Sequence, residues 1–228
     1  MKSLIISLSK IPSSALSSTK VLEQLLRWGH DAELFEGTYG YDAKEIFAQE
    51  NRTLHPYSFK GAPVDDEYIE KSSRLGVMGC FHSHYRAWQR CQELNEPILI
   101  FEDDVIFYRD FIPVTWEDIL LVATGKRVHE HEFYQQRLHD PQGEPRAFGF
   151  KGKVMPGAVG YGITPQGAGK LLEYYKNTFL PADNAMNAAV VNLLCHTHLM
   201  GRAAIDDDGK KSLTKSKFWE KTQTTDCQ

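Results

Sequence analysis

Cysteine is scarce in this sequence. Cys80, Cys91, Cys195 and Cys227 are the four among 228 residues, with no C-x-x-C pair and no zinc-like spacing to histidine. That excludes a disulfide-stapled small fold, and reduced thiols in a cytoplasmic protein are the expectation. Long apolar runs are missing too, and no segment approaches the ~20 residues that span a bilayer. Met1-Lys2 before Leu4-Ile5-Ile6 imitates a secretory signal, but Lys10 interrupts the apolar stretch too early for one. Charge of one sign is not in excess: 26 Lys+Arg against 30 Asp+Glu leave a net of −4. That excludes a general attraction to nucleic acid, though not a local basic patch. Repeats and low-complexity segments are absent. What remains is an ordinary globular balance, 42% hydrophobic and 25% charged, which supports one core across residues 1–228.

The pattern alternates strand and helix. Residues 3–8 read as a first strand. Val21, Leu22, Leu25, Leu26 and Trp28 mark an amphipathic helix stopping at Gly29, and Ala32–Phe35 is a second strand ending at Glu36-Gly37. Residues 38–73 read as a mostly irregular connection punctuated by Pro56, Gly61 and Pro63. From Gly79, Phe81, His84 or Tyr85, Trp88, Cys91 and Leu94 recur at helical spacing until Pro97. Ile98–Phe101 is a continuous apolar run suited to a strand covered on both faces, and Glu102-Asp103-Asp104 follows at its end. Residues of about 124–153 form a polar insert. Val154–Ile163 is a Gly-rich strand, and Thr164-Pro165 starts a helix running to about Asn177. Pro181-Ala182-Asp183 opens another helix carrying Met186, Val190, Val191 and Leu194. A last strand near Leu199–Ile205 precedes the turn Asp206–Gly209 and a basic tail of about 209–228. The whole reads as α/β with a mostly parallel sheet.

The acidic triplet carries the most chemistry. Three adjacent carboxylates repel one another, and a divalent cation with oxygen ligands offsets that repulsion; a solvated acidic turn is the plainer alternative. In open α/β sheets, ligands gather at the carboxyl ends of strands, where this triplet falls. His84 is either a satisfied core histidine or a functional one, and Asp183 either a helix cap or a general base. The glycines around Gly160-Tyr161 permit either close ligand approach or tight packing. Gly169-Lys170 is not a phosphate loop, because Thr164 stands where glycine is required and Leu171 where Ser or Thr is. His129-Glu130-His131-Glu132 misses zinc-protease spacing.

Three ordered blocks then make a recognisable set. Gly79-Cys80-Phe81-His82-Ser83-His84-Tyr85-Arg86-Ala87-Trp88, followed by Pro97-Ile98-Leu99-Ile100-Phe101-Glu102-Asp103-Asp104-Val105, resembles glycosyltransferase family 25. That family pairs a G-C-x-x-S-H helix with an apolar strand ending in E-D-D. Gly157-x-x-Gly160-Tyr161-x-Ile163-Thr164-x-x-Gly167-Ala168-x-Lys170-Leu171 and Pro181-Ala182-Asp183 look like its later blocks. Departures are Ser13-Ser14-Ala15, where arginines are expected, and Val77, where the family favours Glu.

The resemblance implies a Rossmann-like, nucleotide-sugar-binding fold of the GT-A type, an inverting transfer from a UDP-sugar, and Mn2+ (or Mg2+) at the acidic motif. It implies Glu102 and Asp104 as metal ligands, with His196 or His198 completing the shell. Asp103 would face the sugar and Asp183 would act as base. Ser7, Leu8, Glu36 and Gly37 form the expected nucleoside edge, and Ser83, His84, Gly160 and Tyr161 complete the donor-binding set. The expected acceptor is a glycan, as in lipopolysaccharide synthesis. The alternatives are a hydroxylated base in DNA, reached by the insert and the basic tail, and a non-catalytic nucleotide-sugar-binding module. The tail also offers peripheral contact with an anionic membrane.

Overall fold

The structure is a computed structural model that describes residues 1–56, 74–125, 144–149, 154–155 and 157–204. Most of the polar insert, His129–Glu132, the turn Asp206–Gly209 and the basic tail lie outside the described residues.

The strands are β1 (Lys2–Ser7), β2 (Asp31–Glu36), β3 (Thr53–Leu54), β4 (Ile98–Glu102), β5 (Val105–Phe107), β6 (Ile119–Thr124), β7 (Ala147–Gly149), β8 (Gly160–Ile163), β9 (Thr178–Phe179), β10 (Leu193–His196) and β11 (Gly201–Ala203). The helices are α1 (Pro12–Arg27), α2 (Gly40–Gln49), α3 (Arg74–Leu94), α4 (Pro165–Tyr174) and α5 (Ala182–Ala185). Among the described residues, nine strands form one sheet with the path β2-β1-β4-β8-β6-β10-β7, while β11 pairs with β5 and β6. β1, β2, β4, β6, β10 and β11 run one way, and β5, β7 and β8 run against them. The sheet is therefore mostly parallel, as the alternating pattern predicts.

Period-two alternation divides its side chains between two covered faces. Leu4, Ile98, Ile100, Ile119 and Leu121 join one core with Phe47, Phe81, Trp88 and Leu171 of the helices. Ile5, Leu99, Phe101, Leu120 and Val122 join the other, against Val21 and Leu25 of α1. The register pairs Ser7 with Glu36 and Ile6 with Glu102, so the carboxyl ends of β1, β2 and β4 emerge side by side.

Several boundaries depart from the sequence reading. α1 begins at Pro12 rather than near Val21, because its first turns bury hydroxyls instead of apolar groups. Ser7 Oγ and Ser18 Oγ share a hydrogen bond of 2.8 Å, and the Leu8 N–H donates to Ser14 Oγ at 2.9 Å. α2 occupies part of the stretch expected to be irregular. Patterning assigned no element to Ile119–Thr124, yet β6 lies inside the sheet with every residue buried. The helix expected from Ala182 through Leu194 stops at Ala185. The Asn187 Nδ2 group meets the carbonyls of Asn184 and Ala185, and its Oδ1 accepts the Ala189 N–H. Leu194 consequently belongs to β10. The Gly-rich strand shrinks to Gly160–Ile163, preceded by a turn with Gly157 at φ +91°. The Thr164 cap is as expected, accepting from the Gly167 N–H at 3.1 Å.

Candidate functional site

The site is built where α3 crosses the carboxyl ends of β1, β2 and β4. α3 approaches its neighbours backbone to backbone: a Cβ on Gly79 would lie 2.7 Å from the Thr38 carbonyl, and one on Gly40 would lie 2.6 Å from that of Leu75. No larger residue fits either crossing. The close approach brings Ser83 Oγ to the turn after β2, where it accepts the Thr38 N–H at 2.8 Å and donates to the Gly79 carbonyl at 2.7 Å.

The ends of β1 and β2 are tied into one rim. The Gly37 N–H donates to the Ser7 carbonyl at 2.7 Å. Glu36 Oε1 accepts the Ser9 N–H and the Tyr39 hydroxyl, which in turn accepts the Lys10 N–H. Arg86 of α3 donates to the Glu36 carbonyl at 3.0 Å. Ser7 and Gly37 are buried while Leu8, Glu36 and Tyr39 keep exposed surface, so Ser7 and Gly37 shape the rim through backbone and the others face outward. Ser83 sits behind the rim, with its hydroxyl already engaged.

One helical turn separates Cys80 from His84 and another separates His84 from Trp88, so the three share a face of α3. That face meets the end of β4. His84 Nε2 lies 3.4 Å from Glu102 Oε1, and the Cys80 thiol points at the same oxygen from 3.9 Å. His84 Nδ1 meets the Tyr161 hydroxyl at 2.8 Å, and that hydroxyl accepts the Trp88 Nε1–H at 2.9 Å. Trp88, Tyr161, His84 and Glu102 thus form a continuous relay from core to surface. The direction is set by Trp88, which can only donate. Burial pushes the Tyr161 hydroxyl pKa far up, so it stays protonated and can serve either tautomer of His84.

Asp103 and Asp104 form the turn between β4 and β5. The Asp104 carbonyl accepts the Ala204 N–H at 2.7 Å, which buttresses the turn from β11. Asp183 arrives separately, in the first turn of α5. All four carboxylates are half-buried, reachable from solvent yet partly stripped of it. All four bear on the Cys80 thiol. Burial first, and then the charges of Glu102, Asp183, Asp104 and Asp103, hold its pKa well above the ordinary thiol value. Carboxylate oxygens are the ligands that manganese or magnesium prefers, and Glu102, Asp103 and Asp104 follow one another at the end of β4; among the described residues, the side chains whose ligand atoms lie within 4.8 Å of one another are Cys80, His84 and Glu102.

Other expected site residues lie elsewhere. Gly160 is inside the sheet, where a Cβ would meet Ala123 and Phe101 at 2.8 Å; packing requires this glycine. Tyr161 is fully buried and reaches the site only through His84. His196 has both ring nitrogens engaged: Nδ1 accepts the His198 N–H, so Nε2–H donates to the Ile112 carbonyl, each at 2.8 Å. Its strand is three places from β4 in the sheet, roughly 14 Å at about 4.8 Å per strand. Both ring nitrogens of His196 are thus occupied by backbone groups. His198 Nδ1 meets the Thr197 hydroxyl at 3.1 Å. Lys170, rejected as a phosphate-loop lysine, holds the fully buried Asp118 through both carboxylate oxygens at 2.9 and 2.6 Å. Sequence reasoning gave Cys80, Tyr39 and Arg86 no role; for Cys80 the signal was its i, i+4 spacing to His84.

Comparison with known proteins matches a family model described as glycosyltransferase family 25 (LPS biosynthesis protein) to residues 1–186. The chain is 30% identical over 176 residues to a protein of Anopheles gambiae named "Glycosyltransferase 25 family member", a match covering 72% of this chain and 28% of that protein. A protein of the same name from Aedes aegypti is 30% identical over 116 residues, 47% of this chain and 18% of its own length. A Rattus norvegicus protein named "Probable inactive glycosyltransferase 25 family member 3" is 29% identical over 144 residues, 57% of this chain and 25% of its own length. The matched stretches span about a quarter or less of these relatives.

Proposed function

The chain belongs to glycosyltransferase family 25, and on that footing we propose that it transfers a sugar from a UDP-sugar to an acceptor hydroxyl on a glycan, with inversion, in a GT-A type fold. The observation that carries this reading is the position of Glu102, Asp103 and Asp104 at the carboxyl end of β4, beside the end of β1, the strand-end location where α/β sheets bind ligands; Asp183 joins them in raising the pKa of the Cys80 thiol.

In this reading the rim of Leu8, Glu36 and Tyr39 receives the nucleoside, and Ser83 keeps the rim in shape. Glu102 and Asp104 hold a manganese or magnesium ion, which when bound supplies positive charge against that of the leaving diphosphate. His84 orients the Glu102 carboxylate through its Nε2. Asp103 faces the sugar. Asp183 accepts the proton of the acceptor hydroxyl, allowing that oxygen to attack the anomeric carbon from the face opposite the diphosphate.

A positioned base contributes about 10²–10⁴-fold. Asp183→Asn should therefore lose turnover by that factor while the thermal shift given by UDP and manganese persists. Unchanged turnover removes Asp183 from the role. The name of the rat relative gives the non-catalytic reading a specific footing. It predicts the same donor-induced shift with no transfer by the unsubstituted chain. The DNA-acceptor reading draws on the insert and tail, outside the described residues.

A further inference from the structure

Cys80 is the one member of the cluster that a manganese site does not need, since thiolate sulfur suits softer ions. Its position is nonetheless specific. Cys80 Sγ, His84 Nε2 and Glu102 Oε1 lie within 4.8 Å of one another, and they come from two elements rather than one. The separations are 3.9 Å from sulfur to oxygen and 3.4 Å from nitrogen to oxygen. A tetrahedral zinc ion, with bonds of about 2.3 Å to sulfur and 2.0–2.2 Å to nitrogen and oxygen, needs ligand separations of about 3.3–3.6 Å. The nitrogen–oxygen distance already meets that, the sulfur has to close on the oxygen by a few tenths of an ångström, and its separation from the nitrogen is within 4.8 Å.

We propose that Cys80, His84 and Glu102 form a three-ligand site for a zinc-class divalent ion, with the fourth position open to water.

Cys80 Sγ and His84 Nε2 both face Glu102 Oε1, so any hydrogens on that sulfur and nitrogen lie among the three atoms. They stand where the cation would sit. On binding, the Cys80 S–H proton leaves to solvent as the sulfur–metal bond forms, and the His84 proton moves to Nδ1, so one proton is released in all. The surroundings accommodate that exchange. The Tyr161 hydroxyl, which accepts the Trp88 N–H, has a second lone pair that can accept from a protonated Nδ1. A histidine held through its second nitrogen is the arrangement that orients a metal ligand. The thiolate selects zinc, cobalt or cadmium over magnesium and calcium. Glu102 then belongs to two ligand sets, and an ion held by Cys80 and His84 competes for it with the one proposed at the acidic turn.

The test is a titration of the reduced, chelator-free chain with Co2+, read by near-ultraviolet sulfur-to-cobalt charge transfer and displaced by zinc. It requires neither donor nor acceptor, so its failure is distinguishable from failure of the transfer reading. The expected result is one cobalt per chain with a thiolate band. Cys80→Ser should abolish that band, while Cys91→Ser, at a buried thiol outside the trio, should leave it. Loss of a second-shell partner alone costs about 10–100-fold in affinity, so Cys80→Ser should weaken zinc by more than about 100-fold. Should Cys80→Ser fail to fold, Glu102→Gln keeps the side-chain shape and should weaken cobalt binding likewise. Absence of a thiolate band in the unsubstituted chain, or its survival in folded Cys80→Ser, overturns the proposal.

Discussion

At the scale of single residues, the relay from Trp88 to Glu102 explains why a buried histidine sits behind a strand-end carboxylate. His84 is 1% exposed and Tyr161 fully buried, so water cannot replace either partner. Tyr161→Phe keeps the ring but strands the Trp88 N–H and His84 Nδ1. An unsatisfied buried polar group costs about 1–3 kcal/mol, and urea denaturation should register a loss in that range. Adding Trp88→Phe should recover part of it, because the orphaned donor is then gone. The acidic triplet and Asp183 were legible as residues in the sequence. Their grouping around Cys80 was not, because it depends on the phase of α3 over β4, and a helical stripe alone does not say which strand end it faces.

At the scale of elements, a buried ion pair ties α4 to the start of β6. Asp118 is fully buried and also accepts the Asn192 N–H at 2.8 Å, whereas the Lys170 side chain is 42% exposed. The two partners should therefore respond unequally. Lys170→Met leaves a carboxylate in the core and should cost roughly 3 kcal/mol. Asp118→Asn keeps an acceptor for Asn192 and frees the lysine to reach water, so it should cost distinctly less by the same denaturation assay. Equal losses would contradict this description. The elements that the sequence disclosed were those with apolar or capping signals, such as the Ile98–Phe101 run and the Thr164 cap. Those it concealed were the hydroxyl-lined first turns of α1 and the helix cut short by the Asn187 side chain. In both cases hydrogen bonds do what hydrophobic periodicity does elsewhere, and periodicity does not report them.

At the scale of the whole molecule, two covered sheet faces leave the strand ends as the place for chemistry, and part of the stability depends on keeping buried His82 neutral. Burial lowers the pKa of His82 to about 4, and it lowers that of His196 as well. Between pH 6.5 and 4 the unfolded chain binds a proton that folded His82 refuses, so stability falls as pH drops through that window. The contribution is roughly 3 kcal/mol. The melting temperature should decline from pH 7 to pH 4, and less steeply in His82→Gln; equal slopes would contradict the assignment. The central claim concerns the cluster at the end of β4, and calorimetric titration of Mn2+ with UDP present tests it most directly. The unsubstituted chain should bind one manganese ion, and Asp104→Asn should weaken that binding at least about tenfold, or 1.4 kcal/mol. Equal manganese affinity in the two proteins would contradict the account.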